Sequence, residues 1–243
     1  MKLARLNQEP EVFYSIQGEG ISIGKPAIFV RLTQCNLHCV WCDTPYTWNW
    51  EGTKFKHPTK VKRQDVQIEL SVQELVQLIT QFPCSRVILT GGEPFIQQKE
   101  LVDLMTALKS IDEEYFFEIE TNGTFLPIET FDRLIGQYNV STKLSNCGDK
   151  EKLRIKSAPM HFFSKSLKAN FKFVIDTKTD LEEVQDLQKL FAISKNKILL
   201  MPQAQTKEEL QFKQIELIET CKQFGYTYSD RLHVRIYGDK KGV

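Results

Sequence analysis

The stretch IFVRLTQCNLHCVWC, residues 28–42, joins a short apolar run to three closely spaced cysteines. Its first part, Ile28–Leu32, has the length and the β-branched and aromatic content of a buried strand. Cys35, Cys39 and Cys42 follow, separated by three and then two residues. A loop directly after a buried strand therefore presents three thiols, and the interpretation of the whole chain depends on this combination.

Similar apolar runs recur along the chain and alternate with stretches of helical period. Further strands are predicted at Arg86–Thr90, Tyr115–Glu120, Tyr138–Lys143, Phe171–Asp176, Lys197–Met201 and Leu232–Ile236. Helices are predicted from a Ser71–Glu74 capping box to Phe82, and at about Lys99–Lys109, Ile128–Gly136, Leu181–Phe191 and Lys207–Phe224. This alternation favours an α/β fold whose parallel sheet is covered on both faces or closed into a barrel. About six βα units are visible, fewer than the eight of a full TIM barrel, so we expect an incomplete, open (β/α)6 barrel with its chemistry at the C-terminal strand ends.

Two stretches interrupt the alternation. Thr44–Gln67 contains Trp48 and Trp50, and Ser145–Asn170 is basic with little periodicity. Both are longer than ordinary connections, so each is predicted to be an inserted lid or binding loop, with a solvated basic loop as the alternative. The sequence assigns no role to the two tryptophans.

Composition excludes several classes of protein. Thirty-two basic and thirty-one acidic residues leave a net charge of +1, which disfavours an obligate nucleic-acid binder. No apolar run approaches the ~18 residues that cross a membrane, and the N-terminus turns polar too early for a signal peptide. Six cysteines are too few for a disulfide scaffold, and Cys84 and Cys221 are interpreted as small buried hydrophobes. A cytoplasmic enzyme or binding protein is expected, without nucleic-acid or membrane partners.

The three clustered cysteines indicate either zinc or an iron–sulfur cluster. A structural zinc site needs four ligands, and His38, adjacent to Cys39, is poorly placed to reach the same ion. Iron–sulfur clusters take cysteine thiolates, and three cysteines on a four-iron cluster leave one iron open for catalysis. The non-enzymatic alternative is a zinc-stabilised interaction module, whose cysteine variants would lose their fold.

The spacing Cys-x3-Cys-x2-Cys, with Trp41 before the last cysteine, resembles the signature of the radical S-adenosylmethionine (SAM) superfamily. Gly91-Gly92-Glu93-Pro94, directly after the Arg86–Thr90 strand, is similar to the superfamily's GGEP motif. The resemblance implies a 4Fe–4S cluster on Cys35, Cys39 and Cys42, and SAM as the source of a 5′-deoxyadenosyl radical. It also implies one radical SAM domain over residues 1–243, with insertions at about 44–67 and 145–170.

A second motif resembles one particular family within this superfamily. Phe13-Tyr14-Ser15-Ile16-Gln17-Gly18-Glu19-Gly20, with Asp43-Thr44 after the cysteines, resembles the 7-carboxy-7-deazaguanine synthases. That family implies a carbon–nitrogen lyase acting on 6-carboxy-5,6,7,8-tetrahydropterin with loss of ammonia, on the queuosine route of tRNA modification. The enzymatic alternative is an activase that installs a glycyl radical on a partner protein, although such enzymes do not match the residue 13–20 motif.

The resemblance also assigns site residues. SAM is expected to contact Trp41, Gly92, Glu93, Ser141, Thr142, Lys143, Met201, Pro202, Gln203 and Ala204. The substrate is expected at Ile16, Gln17, Gly18, Arg31, Thr90 and Val243. Thr44 is the expected Mg²⁺ ligand, and Glu120 and Asn122 are secondary candidates. Thr142 stands where the family usually has proline, which puts the backbone shape there in doubt.

Arg31 offers a planar fork that matches a carboxylate, with a salt bridge inside the barrel as the alternative. Backbone groups of Ile16, Gln17 and Gly18 could pair with the pterin edge. The family further implies a homodimer and a flavodoxin- or ferredoxin-type electron donor.

Overall fold

The computed structural model describes residues 1–55, 57–238 and 240–243. The strands are β1 (Lys2–Leu6), β2 (Glu9–Pro10), β3 (Val12–Ile16), β4 (Pro26–Leu32), β5 (Gln67–Glu69), β6 (Arg86–Gly91), β7 (Phe116–Thr121), β8 (Ile135–Val140), β9 (Ala169–Ile175), β10 (Ile198–Pro202) and β11 (Thr227–Tyr228). The helices are α1 (Arg63–Val66), α2 (Val72–Ile79), α3 (Gln98–Ile111), α4 (Glu129–Leu134), α5 (Glu151–Arg154), α6 (Ser157–Lys165), α7 (Lys178–Phe191), α8 (Lys207–Phe224) and α9 (Leu232–Tyr237).

The strands form one mixed sheet whose main part is parallel. β4, β6, β7, β8, β9 and β10 are neighbours in that order, and β11 extends the last of them. β3 and β1 pair antiparallel with β4 at the other end. Each parallel strand lies beside its predecessor because a helical crossover returns the chain across the sheet. Within the described residues no pairing joins β11 to the antiparallel end, so the barrel is incomplete and open, as predicted.

The core lies between the parallel strands and the helices around them. Ile28 on β4, Leu89 on β6 and Ile119 on β7 are fully buried. Helix α2 begins with the predicted capping box, in which Ser71 and Glu74 exchange hydrogen bonds. Near-continuous burial of apolar strand residues is what a sheet covered by helices requires.

The prediction of a strand at Leu232–Ile236 was wrong, because these residues form helix α9. The backbone N–H of Arg235 donates to the Arg231 carbonyl, and Val234 packs against Ala204 and Leu210. Five residues with alternating apolar character also fit one face of a short helix, so the period alone does not distinguish the two. Residues 1–16, for which we predicted no strand, form β1–β3, and these strands extend the sheet beyond β4 by antiparallel pairing.

Other boundaries also differ from the predictions. The predicted helix Ile128–Gly136 ends at Leu134, and Ile135 begins β8, which ends at Val140 rather than Lys143. The predicted loop at 145–170 contains α5 and α6, and the buried Met160 and Phe163 of α6 account for its stability. The sequence did not predict these helices, because their few apolar residues lie among many lysines and show no clear helical period. No helix within the described ranges is long and apolar enough to span a membrane.

The segment 44–62 is mostly irregular, but it is not a solvated loop. Trp48 and Asn49 are buried, and the described residues of this segment contain a 3-10 turn at Pro45–Thr47 and an isolated β-bridge between Trp50 and Val61. Side-chain packing and hydrogen bonds, rather than regular secondary structure, hold this segment against the cysteine loop.

Candidate active site

A cavity of about 710 Å³ opens at the C-terminal ends of the parallel strands. Most predicted site residues line it: Ile16, Gln17, Gly18, Arg31, Cys35, Cys39, Trp41, Cys42, Thr44, Thr90, Gly92, Ser141, Lys143, Met201 and Val243, together with Glu120 and Asn122. Glu93, Thr142, Pro202, Gln203 and Ala204 do not line it. The fold thus brings residues from both ends of the chain to one chamber, at the strand ends where the sequence predicted chemistry.

All three motif cysteines border this cavity with free thiols. The loop is tightly turned, since the Cys42 N–H donates to the Cys39 carbonyl at 3.2 Å and the Leu37 N–H donates to the Cys35 sulfur at 3.5 Å. Three thiols on one short loop, facing one chamber and supplied with an N–H donor, fit a 4Fe–4S cluster with one open iron.

A fourth cysteine, which sequence reasoning did not connect with the others, lies behind this loop. The ligand atoms of Cys39, Cys147 and Asp149 lie within 4.8 Å of one another. Cys147 is buried and does not border the cavity. Because Cys147 lies more than one hundred residues from the motif, the sequence did not predict that it is close to Cys39.

Burial sets the protonation of the cysteines in the metal-free protein. Burial and the charge of Glu93 raise the pKa of Cys35 to about 12. A hydrogen bond with Cys147, together with burial, raises the pKa of Cys39 well above that of a free thiol. Both groups are therefore protonated without metal, and metal binding must displace their protons.

The GGEP turn packs against the chain that leads into Cys35. The Gly92 N–H donates to the Leu32 carbonyl at 3.0 Å, and the Glu93 N–H donates to the Gln34 carbonyl at 2.7 Å. A Cβ on Gly92 would lie 1.9 Å from the Gln34 oxygen, so only glycine permits this approach.

Glu93 holds the turn from inside. Its carboxylate is buried and accepts hydrogen bonds from the Thr121 hydroxyl at 2.8 Å and from the Asn122 and Phe95 N–H groups at 2.7 and 3.2 Å. Burial nevertheless raises its pKa to about 7. The side chain thus supports the strand end and does not face the cavity.

The residues after β8 divide between the cavity and the core. The Lys143 ammonium donates to the Ser141 hydroxyl at 2.8 Å and lies 5.4 Å from the centre of the Trp41 ring. Thr142, between them, is buried and directs its hydroxyl to the Met160 sulfur at 3.6 Å. Ser141 and Lys143 are therefore available to a ligand, while Thr142 is occupied within the protein.

The residues after β10 also lie partly at the cavity and partly in the core. Met201 borders the cavity, while Pro202 and Ala204 are buried away from it. The Gln203 N–H donates to the Ile175 carbonyl at 2.8 Å. Backbone bonding at this strand end holds the segment beside the chamber.

Arg31 forms a salt bridge and also lies at the cavity. Its Nε donates to the Glu11 carboxylate at 2.6 Å, and the Tyr46 hydroxyl donates to the other oxygen of Glu11 at 2.8 Å. Arg31 also borders the cavity. Glu11 therefore positions the guanidinium through one edge, while the side chain remains part of the chamber wall.

A buried charged network that the sequence did not indicate forms one side of the chamber. The Lys172 ammonium lies 2.5 Å from a Glu19 oxygen and 3.0 Å from a Glu120 oxygen. Arg231 bridges Glu19 at 3.1 Å and Asp43 at 2.5 Å. Although burial acts to raise it, the pKa of Glu19 is held well below its usual range by Lys172 and Arg231. The partners lie up to 212 residues apart in the sequence, so no local pattern could reveal them.

Comparison with known proteins agrees with this site. Residues 30–145, which contain the cysteine loop and the GGEP turn, match the radical SAM superfamily. The strand order, the three-cysteine loop and this match define a radical SAM enzyme.

More specific matches identify the family. The 7-carboxy-7-deazaguanine synthase of Pyrobaculum aerophilum is 34% identical over 96% of this chain and 95% of its own length. That of Rhodopirellula baltica is 31% identical over 96% of this chain and 87% of its own length. The crystal structure of QueE from Escherichia coli superposes with a TM-score of 0.67 and 25% identity, covering 96% of this chain and 95% of that one. The chain belongs to the 7-carboxy-7-deazaguanine synthase family, a radical SAM lyase family whose cofactors are a 4Fe–4S cluster, SAM and Mg²⁺. The family predicted from the sequence is confirmed.

Proposed function

We propose that this enzyme converts 6-carboxy-5,6,7,8-tetrahydropterin to 7-carboxy-7-deazaguanine with release of ammonia, within queuosine biosynthesis. The observation that carries the proposal is the single cavity, which is bordered both by the three free cysteines and by the Ile16–Gly18 motif. A glycyl-radical activase would instead need an open docking surface for a protein chain. The whole chain acts as one radical SAM domain.

Cys35, Cys39 and Cys42 hold the cluster, and residues at the ends of β6, β8 and β10 hold SAM. The SAM contacts are Trp41, Gly92, Glu93, Ser141, Thr142, Lys143, Met201, Pro202, Gln203 and Ala204. Those that border the chamber act directly, and the others fix the backbone of the same strand ends. Together the cluster and SAM supply a 5′-deoxyadenosyl radical that abstracts hydrogen.

A second group of residues that line the same cavity positions the substrate. Backbone groups of Ile16, Gln17 and Gly18 bind the pterin edge, and Arg31 binds the carboxylate. Thr90 and Val243 complete the contacts, and Thr44 ligates Mg²⁺, which prefers a few protein oxygens completed by substrate and water. A reactive primary-carbon radical requires a held substrate and a closed pocket, and contacts remote from the reacting carbon supply this positioning.

The finer assignments of partner and location are also proposals. The electron donor is a flavodoxin- or ferredoxin-type protein, and the enzyme is a cytoplasmic homodimer. The six free cysteines support a reducing compartment.

Anaerobic reconstitution with iron and sulfide tests the function. We expect a brown protein that forms 7-carboxy-7-deazaguanine when given SAM, a reductant, Mg²⁺ and 6-carboxy-tetrahydropterin. Cys42→Ser should lose both cluster and product, while Cys84→Ser, a thiol outside the cavity, should retain both. A cluster-loaded enzyme that makes no deazaguanine would contradict the substrate assignment, and a colourless, zinc-containing protein would contradict the enzyme class.

The assignment of Val243 has its own test. Removing Gly242 and Val243 should raise the KM for the pterin about tenfold, the loss of roughly 1.4 kcal/mol of binding, with kcat changed less. Steady-state kinetics on the loaded enzyme measures this. An unchanged KM would reject the contact.

A further inference from the structure

The segment between Thr44 and α1 brings an indole N–H to a cluster ligand. The Nε1 of Trp48 lies 3.3 Å from the Cys42 sulfur, within the range of an N–H···S hydrogen bond. The motif itself contributes Trp41, whose indole N–H is instead directed to the Asn146 carbonyl at 3.0 Å. The tryptophan that bonds to cluster sulfur therefore comes from the inserted segment.

The Trp48 ring is held rigidly in this position. Only 4% of the residue is exposed. The rings of His38, Phe55 and His57 meet it edge to face, at centroid distances of 5.1, 5.7 and 5.9 Å. Because rings surround the indole in this way, its N–H has one available direction.

The backbone around Trp48 is fixed as well. The buried side chain of Asn49 donates to the carbonyls of His57 and Thr59, which closes the segment on itself. The Gln34 N–H donates to the Thr47 carbonyl at 2.8 Å, which ties the segment to the residue before Cys35. The segment and the cysteine loop are thus one packed unit.

This contact is the shortest one made to a sulfur of the three motif cysteines by an N–H or hydroxyl group in the described residues. The other contacts of this kind are longer: 3.5 Å from Leu37 N to the Cys35 sulfur, 4.0 Å from Asn122 Nδ2 to the Cys35 sulfur, and 3.9 Å between Thr44 Oγ1 and the Cys42 sulfur, where either group can be the donor. Hydrogen bonds to cluster sulfurs withdraw negative charge and so stabilise the reduced cluster.

We propose that Trp48 is a positioning residue that donates an N–H···S hydrogen bond to the Cys42 thiolate and thereby raises the reduction potential of the cluster. The inference rests on the proposed function only in that Cys42 ligates a 4Fe–4S cluster. It gives the inserted segment a role: the segment supplies a fixed donor and shields one cluster ligand from water.

The test compares Trp48→Phe with Trp50→Phe. Phenylalanine keeps an aromatic ring at residue 48 and removes the donor. Trp50 belongs to the same segment, but its Nε1 donates to the Tyr46 carbonyl at 2.9 Å and not to sulfur. The midpoint potential is measured by redox titration followed by electron paramagnetic resonance, on reconstituted protein with matched iron and sulfide content.

We expect Trp48→Phe to shift the midpoint potential to more negative values, while Trp50→Phe leaves it at the wild-type value. No shift in Trp48→Phe, or equal shifts in both variants, would overturn the proposal. If Trp48→Phe does not hold its cluster, 3-benzothienylalanine at residue 48 decides the matter, because it keeps the bicyclic shape without the N–H. A wild-type potential in that variant would overturn the proposal, and a lowered one would support it.

The measurement is independent of the deazaguanine assay. A shifted potential in an enzyme that makes no deazaguanine would contradict the proposed function alone. Normal product formation with an unshifted potential would contradict the role of Trp48 alone.

Discussion

The Arg31 side chain is fixed by a salt bridge and still faces the cavity, where a ligand can reach it. Glu11 holds its Nε, and Tyr46 in turn holds Glu11, so the guanidinium has one orientation at the chamber wall. Arg86 on β6 forms a comparable salt bridge with Glu118 at 2.9 Å, but it does not border the cavity. The two arginines therefore form a matched pair for separating ligand binding from structural support.

We expect Arg31→Lys to raise the KM for 6-carboxy-tetrahydropterin about tenfold or more, since a lysine keeps the charge near Glu11 but loses the bidentate fork. Arg86→Lys should leave KM within about twofold, because Arg86 does not border the cavity and a lysine at this site can still pair with Glu118. Steady-state kinetics with saturating SAM measures both. Equal effects in the two variants would show that Arg31 has only a structural role.

Glu93 makes stability depend on pH. Its native pKa of about 7 lies above the ordinary value of 4.5, so the folded protein binds the proton more tightly than the unfolded chain does. This contribution to stability is fully present below about pH 4.5 and is lost as pH rises to about 7. At 1.36 kcal/mol per pKa unit, the loss is at most about 3.4 kcal/mol.

Glu93→Gln should remove this pH dependence, because the amide does not titrate. Urea unfolding of the cluster-free proteins at pH 5 and pH 8 measures it. The free energy of unfolding of wild type minus that of the variant should be smaller at pH 8 than at pH 5. A difference that does not change with pH would contradict the raised pKa of Glu93.

At the scale of elements, the strand ends β4 and β6 are joined by backbone contact rather than by side chains. Gly91 has φ of +120°, and a Cβ there would lie 2.1 Å from the Leu32 oxygen. The GGEP turn is thus in direct backbone contact with the residues that lead into the cysteine loop. The geometry of the cysteine loop therefore depends on two glycines at the end of a neighbouring strand.

Gly92→Ala should destabilise the fold by about 3 kcal/mol, at the upper end of overpacking costs, and lower the iron bound per chain. The added methyl must displace Gln34, next to the first cluster ligand. Gly24→Ala is the control for backbone strain away from the cysteine loop: a Cβ there meets no atom within 4 Å, but the φ of +82° disfavours alanine, so this variant should lose stability and keep its iron. Iron analysis after reconstitution checks the result, and full iron content in Gly92→Ala would contradict this coupling.

At the scale of the whole molecule, the Lys172 network joins three distant parts of the chain. Lys172 on β9 pairs with Glu120 on β7 and with Glu19, which follows β3, while Arg231 extends the network from Glu19 to Asp43. Breaking a buried pair leaves a charge without its partner, which costs far more than the loss of a surface pair.

Lys172→Met should therefore lower the free energy of unfolding by about 3–5 kcal/mol. Lys178→Met should change it by less than about 0.5 kcal/mol, because Lys178 and Glu216 are 90% and 76% exposed and 3.9 Å apart. Denaturant unfolding of the cluster-free proteins compares them. Similar stabilities for the two variants would show that the network contributes little.

Much of this protein follows from local pattern. The Ile28–Leu32 strand, the cysteine spacing, the Ser71–Glu74 cap and the α8 helix all come from residues that are close in the chain, so their geometry depends on neighbours that the sequence displays. The fold class and the family also follow, because both depend on the order of such elements and on short motifs.

Other features of the protein, which depend on contacts between distant residues, are visible only in the tertiary structure. It placed Trp48 on Cys42, Cys147 beside Cys39, and Lys172 between Glu19 and Glu120, and it made residues 232–236 a helix. It also turned Glu93 and Thr142 into the protein interior, away from the cavity. The physical reason is the same in each case: burial and long-range contacts determine where a side chain points, and neither is encoded within the few residues that a local pattern covers.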